Sequence, residues 1–433
     1  MQNFPATLFG WLSLLETMHP KAIDMGLERV MQVKARLDIQ FDCPVIIVGG
    51  TNGKGSTCAM LESILLQAGY RVGLYTSPHL IDFNERARIN GEPASDIALI
   101  EQFAAVADRR EDVTLTYFEF TTLAILRLFS QAKLDAVILE VGLGGRLDAV
   151  NVVDADIAIV TSVDIDHTEY LGSTREQIGF EKAGIFRPGR TAICGDPIPP
   201  KSLLDHAAAI GADLWLFGRD YNYSGDKQQW NYGGRSQRRN SLSYPSLRGA
   251  NQLLNASAAL AALEALRQRL PVGAQEVRNG LVMVDLPGRF QVLPGRPTVI
   301  FDVAHNPHAA ATLAQNLDNM GFHPYTYAVF GAMHDKDIAG VIAHLKERVD
   351  HWCVTDLPLP RAASAEQLKQ NLLNAGVQPQ SVAGDCTIET FASPAAAFAN
   401  AQSRAGENDR IAVFGSFYTV AGVMKAKDLK GVS

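Results

Sequence analysis

Short runs of apolar and β-branched residues alternate with stretches of helical periodicity along most of the chain. The clearest runs are residues 45–48, 136–139, 157–160, 298–301, 327–330 and 410–414, and each opens into a glycine-rich or polar loop. Strands that are apolar throughout, with helices between them, predict parallel sheets covered on both faces. Ligands of such sheets gather beyond the carboxyl ends of the strands, so the chemistry is expected in those loops.

Two interruptions divide the pattern. Over 218–249 the aromatics Tyr221, Tyr223, Trp230, Tyr232 and Tyr244 are scattered among Gly, Ser, Asn and Arg with no helical period, which predicts a small antiparallel β segment. Its Arg235, Arg238 and Arg239 read as a solvated turn rather than a nucleic-acid patch. At 285–289 and 294–297 two clusters containing Pro-Gly break any helix, after which the βα alternation restarts. The pattern therefore predicts an α/β chain with a larger domain over 1–287, a linker over 288–297 and a smaller βα domain over 298–433.

Composition narrows the function. A chain of 433 residues is too long for one core, at roughly 150 residues per domain. With 47% hydrophobic and 20% charged residues it is not disordered. Its 39 basic and 46 acidic residues give a net charge of -7, which argues against nucleic acid or an anionic membrane as a partner, so any phosphate must be held locally. Cys43, Cys58, Cys194, Cys353 and Cys386 are far apart and odd in number, implying neither a disulfide framework nor a cysteine zinc site. No apolar run approaches the ~20 residues of a membrane span, and the first residues lack the layout of a secretory signal. A cytoplasmic, monomeric protein is expected.

The first clear motif follows the run 45–48. Gly49, Gly50, Thr51, Asn52, Gly53, Lys54, Gly55, Ser56 and Thr57 lead into a helix whose apolar face is Met60, Leu61, Ile64, Leu65 and Ala68, with Gly69 placed to end it. Glycines let backbone amides converge on phosphate oxygens, the helix N-terminus adds its dipole, and Lys54 adds a full charge. The strict phosphate-loop pattern is not met: Val48 stands at the first glycine position and Gly55 directly after the lysine. Two other strand ends carry candidate metal chemistry, and a third ends in a serine. Glu140 closes an apolar run, where a carboxylate is costly unless paired, with Arg146 for example, or bound to a metal. Asp164, Asp166 and His167 follow 157–160, and Ser77 ends a strand after the phosphate-loop helix. Gly142 and Gly144 alone are a weak dinucleotide signal.

The segment 50–57 resembles the ATP loop of the Mur ligase superfamily, in particular its folate branch, where a glycine after the lysine is usual. Segments 179–189, 301–307, 329–337 and 414–421 match in order, so the resemblance runs from Ile23 to Ala421. It implies a phosphate-loop NTPase-like N-terminal domain, a Rossmann-like C-terminal domain that supplies the amino acid's site and closes over the first, and catalytic roles for Lys54, Lys182, His305 and Asp335. It implies that Gly50, Thr51, Asn52, Gly53, Lys54, Gly55, Ser56, Arg289 and Asp302 bind ATP with Asn255, for which Asn251 is the alternative. Ser77, Glu140 and His167 inherit the binding of Mg2+, at two sites, with a monovalent cation as a further candidate, and Lys182 inherits carbamylation by carbon dioxide. From sequence alone Lys182 would pass as a surface lysine.

Three further segments resemble a pterin-substrate site: Ile23, Asp24, Met25 and Gly26; Thr116, Tyr117, Phe118 and Glu119; and Leu147, Asp148 and Ala149. Without the resemblance Tyr117 and Phe118 read as core. The implied activity is ATP-dependent ligation of L-glutamate to dihydropteroate and to tetrahydrofolates through an acyl phosphate. No UDP-sugar domain precedes the loop, which argues against a peptidoglycan ligase. Alternatives are ligation to folates alone, another Mur-type ligase, a phosphate-loop ATPase that moves a partner, and a nicotinamide-dependent dehydrogenase.

Overall fold

The computed structural model describes residues 4–21, 23–226, 228–378 and 387–427. Cys386 lies outside them, and the other four cysteines are free thiols. The chain divides into two compact units, one of Met1–Ser246 with Leu253–Val284, the other of Leu247–Gln252 with Asp285–Ser433. Among the described residues no helix is long and apolar enough to cross a membrane.

The first unit is built on strands β1 (Val45–Gly49), β2 (Val72–Tyr75), β3 (Ala87–Ile89), β4 (Glu92–Pro93), β5 (Ala136–Glu140), β6 (Ile157–Val160), β7 (Thr191–Cys194) and β8 (Asp213–Leu216). They form one sheet in the order β4-β3-β2-β5-β1-β6-β7-β8. All neighbours are parallel except at the β2–β3 and β3–β4 pairs. β1 and β5 are buried at every residue, as strands covered on both faces require. Their register sets Val48 opposite Glu140, which aligns the phosphate loop with the carboxylate at the next strand end. On one face Trp11 of the helix Leu8–Thr17 meets Phe103 and Phe120, fastening the first helix to the core.

The aromatic-rich interruption is a separate antiparallel sheet of β9 (Asn222–Gly225), β10 (Trp230–Gly233) and β11 (Arg238–Leu242). Glu264, buried on the helix Gln252–Ala265, pins it: the carboxylate accepts Tyr232 Oη at 2.8 Å, Ser236 N at 2.6 Å, Ser236 Oγ at 2.8 Å and Gln237 N at 3.1 Å. The reading of its arginines as a solvated turn holds for Arg235, which is exposed in the turn before β11, and is corrected for the other two. Arg235 pairs with Asp213 and Asp220, whereas Arg238 and Arg239 belong to a strand.

The second unit holds β12 (Gln291–Leu293), β13 (Thr298–Phe301), β14 (Thr326–Phe330), β15 (His351–Thr355), β16 (Thr387–Phe391) and β17 (Arg410–Phe414), in the order β12-β13-β17-β14-β15-β16. Only β12 runs antiparallel. It lies in the segment read from sequence as linker. Phe330, Trp352 and Phe414 pack together at the centre of this unit's own core.

Candidate functional site

The phosphate loop joins β1 to the helix Lys54–Gln67. Two of its glycines are there by necessity. Gly50 has φ +143°, and a Cβ on it would collide with the Thr161 hydroxyl; Gly53 has φ +86°, and its Cβ would collide with Asn255. Only glycine tolerates both the left-handed backbone and that approach. The loop is held from β6's end: Thr51 N donates to Ser162 O at 2.8 Å, Asn52 N to Ser162 Oγ at 3.0 Å, and Thr161 Oγ1 to Asn52 O at 2.6 Å. Lys54 Nζ donates to Gly50 O at 3.0 Å and Thr51 O at 3.3 Å, so its ammonium stands over the loop. Of the two candidate asparagines, Asn255 is the one against the loop; Asn251 Nδ2 donates to Thr312 Oγ1 at 3.4 Å within the second unit.

The candidate metal residues divide. Glu140 is buried and its Oε2 accepts Ser77 N at 3.3 Å, while Ser77 Oγ is buried with no hydrogen-bond partner. An orphaned hydroxyl beside a buried carboxylate at the loop's neighbouring strand end is a donor set of hard oxygens, which fits a divalent cation. Arg146 makes its ion pair elsewhere, with Glu181 at 2.9 Å. His167 has a left-handed backbone, φ +52°, and its half-exposed ring lies 4.0 Å from Asp166. Among the described residues no group of three or more His, Cys, Asp or Glu side chains is arranged to hold a metal.

Lys182 is not on the surface. It is 4% exposed on the helix Arg175–Ala183. Burial and the charge of Lys54 bring its ammonium down to about 7, against the opposing pull of Asp166 and Asp148. Burial also pushes the Asp148 carboxyl up to about 6, although the backbone amides of Leu143, Val150 and Gly142 and the charge of Lys54 favour its ionised form. Lys54, Asp148, Asp166 and Lys182 thus share one electrostatic neighbourhood.

The three pterin-like segments meet at the loop 142–148. The Phe118 ring lies on Gly142, Met25 reaches Gly144, and Asp148 Oδ2 accepts Leu143 N at 2.8 Å. Thr116 caps the helix Tyr117–Gln131 in a reciprocal box with Glu119. Tyr117 and Phe118 are half-buried and pack against the edge of the core. Sequence reasoning missed Arg29, which ties two of these segments: Nη1 reaches Asp24 Oδ2 and Nη2 reaches both Asp24 O and Glu119 Oε1, each at 2.8 Å. Glu119 is 90 positions away, a separation at which no local pattern gives a signal.

In the second unit Arg289 stands over the Phe417 ring at 5.0 Å, and the His305 ring lies 6.3 Å from the same phenylalanine. Asp302 accepts Ala304 N at 2.8 Å and Phe290 N at 3.1 Å, and burial raises its carboxyl to about 6 against the charge of Arg289. Arg289, Asp302 and His305 are therefore one cluster. Asp335 is exposed on the turn after β14.

Comparison with known proteins shows the family. The Mur ligase middle domain matches residues 48–263, and the Mur ligase glutamate ligase domain matches residues 288–417. A dihydrofolate synthase/folylpolyglutamate synthase of Escherichia coli is 47% identical over 98% of this chain and 96% of its own length. One from Haemophilus influenzae is 41% identical over 95% of each. The solved structure of E. coli FolC in complex with DHPP and ADP superposes with TM-score 0.91 at 46% identity, covering 98% of both chains. A bifunctional folylpolyglutamate synthase/dihydrofolate synthase with Mn, AMPPNP and L-glutamate bound gives 0.88 at 44%, again covering 98% of both.

Proposed function

The chain belongs to the dihydrofolate synthase/folylpolyglutamate synthase family of Mur ligases, and from that premise we propose that it joins L-glutamate to 7,8-dihydropteroate and to the γ-carboxylate of tetrahydrofolates at the expense of ATP. The observation that carries this reading is the meeting of three pterin-like segments at loop 142–148, whose Asp148 feels the charge of the phosphate-loop Lys54. That arrangement supports an acid substrate bound beside the nucleotide's terminal phosphate.

Phosphate-loop amides and Lys54 hold the triphosphate, and the substrate carboxylate attacks the γ-phosphorus to give an acyl phosphate and ADP. The amine of glutamate then attacks the acyl carbon, the C–N bond forms, and orthophosphate leaves with the acyl oxygen. Ser77 Oγ and Glu140, with His167, would hold Mg2+, which supplies neutralising charge to phosphate oxygens. A second Mg2+ and a monovalent cation belong to the same reading. Lys182, whose ammonium is held down to about 7, would attack carbon dioxide through its neutral fraction; its nitrogen forms a C–N bond, a proton is lost to solvent, and the product is an anionic carbamate. Asn255, Arg289 and Asp302 complete the ATP site. The residues 298–433, with His305 and Asp335, receive glutamate. A monomer in the cytoplasm completes the proposal.

ADP release by the purified protein tests it. Turnover should be negligible with ATP alone and rise with glutamate plus dihydropteroate, and separately with glutamate plus tetrahydrofolate. Activity with tetrahydrofolate alone would reduce the proposal to a single activity, and turnover independent of any acid would reject ligation.

A further inference from the structure

Three arginines of the first unit line one cavity, and among the described residues none is paired with a carboxylate. The cavity is about 440 Å³, lined by Arg238 and Arg239 from β11 and Arg278 from the helix Ala274–Met283, with Leu242, Val272 and Ala274 as an apolar side. Arg239 Nη2 donates to Val272 O at 2.9 Å and Gln237 Oε1 at 3.3 Å, while its Nε is buried with no acceptor. Arg278 reaches only backbone carbonyls, those of Asn240 and Ser241, both at 3.4 Å. Among the described residues no carboxylate oxygen comes within ion-pair distance of these three guanidinium groups, whereas nearby Arg235 is satisfied by Asp213 at 2.7 Å and Asp220 at 3.0 Å. Glu264 and Glu276 act on Arg239 only through space, and Glu264 already accepts three donors on Oε1 and one on Oε2.

Like charges gathered around a part-buried Nε without an acceptor are unfavourable unless an anion balances them. The guanidinium fork matches phosphate and carboxylate oxygens two at a time. The volume lies in the range of small-molecule sites, and the apolar side accommodates a carbon skeleton.

We propose that this cavity binds a small polyanion carrying phosphate or carboxylate groups. None of its lining residues belongs to the phosphate loop or the pterin-like segments, so the proposal stands whichever acid the enzyme ligates.

Calorimetric titration of the full chain tests it, in metal-free buffer at fixed ionic strength with no nucleotide present, and comparison with the arginine variant separates this cavity from the phosphate loop. Pyrophosphate is the probe in one arm and citrate in the other. Saturable binding of one equivalent of either probe is expected, and the arm that binds more tightly identifies the phosphate or the carboxylate class. The Arg238→Gln/Arg278→Gln double variant should weaken binding about tenfold or more while ligase turnover stays unchanged. Should that variant fail to fold, Arg238→Gln alone, at an exposed strand position, carries the comparison. No saturable heat from either probe up to about 10 mM, or equal affinity in the variant, overturns the proposal.

Discussion

Lys54 and Lys182 are two ammonium groups in one neighbourhood, and after burial the charge of the first is the main influence holding the second down to about 7. A neutral amine is the form that reacts with carbon dioxide. The carbamate fraction should therefore grow as pH rises through about 7 and shrink below it, since protonation removes the nucleophile. Carbon-13 NMR with labelled bicarbonate reads this directly. The resonance should be absent in Lys182→Gln, and Lys54→Met should move its rise to higher pH. A signal that ignores pH, or survives in Lys182→Gln, removes Lys182 from this role.

Gly53 and Asn255 make a second prediction. Gly53→Ala meets both the left-handed backbone and the Asn255 side chain, a strain of about 1–3 kcal/mol, and should raise the KM for ATP by about tenfold or more. Adding Asn255→Ala relieves the collision but not the backbone, so recovery should be partial at best. Full recovery would mean that the backbone conformation is not required.

Arg29 joins Asp24 to Glu119, and its loss should loosen the pterin-like segments without touching the phosphate loop. Arg29→Gln is expected to raise the KM for dihydropteroate by about tenfold, on the scale of a lost charge-assisted hydrogen bond, while the KM for ATP holds. Arg29→Lys should fall between. Equal rises in both constants would make Arg29 a general stabiliser instead.

The orphaned Ser77 hydroxyl and Glu140 lead to a metal titration. Ser77→Ala and Glu140→Gln should each raise the Mg2+ concentration for half-maximal activity, the second by about tenfold or more because it removes a charge. His167→Ala tests the third ligand; an unchanged requirement there would return this histidine to the surface with Asp166.

Much of this was legible because strands buried on both faces are written as continuous apolar runs. Residues 157–160, 298–301 and 410–414 coincide with β6, β13 and β17, and the apolar runs that opened on Gly49 and Glu140 led straight to the phosphate loop and its carboxylate. Short edge strands such as β12 and β16 carry mixed patterns and were not singled out, since half-exposed positions leave little periodicity to read. Lys182 is the sharper lesson. A lysine on a helix looks solvated in sequence, and its burial follows only from the packing of Arg175–Ala183 beside the loops of β1, β5 and β6. The tie between Arg29 and Glu119 is equally invisible, because it depends on tertiary placement rather than spacing.

The attachment of the three-stranded sheet to Glu264 bears on how this protein can tolerate mutation. Two of the four donors that converge on that carboxylate, Ser236 N and Gln237 N, are backbone amides, which survive every side-chain replacement except proline. The anchor is thus written largely in the main chain of the sheet and in a single side chain of the helix. Change at the exposed positions of β9, β10 and β11 should be absorbed readily, whereas Trp230, Tyr232 and Leu242 are buried and Gly234 abuts the carboxylate, and the sheet's attachment rests on one glutamate, nine residues along the same helix from the asparagine that abuts the phosphate loop.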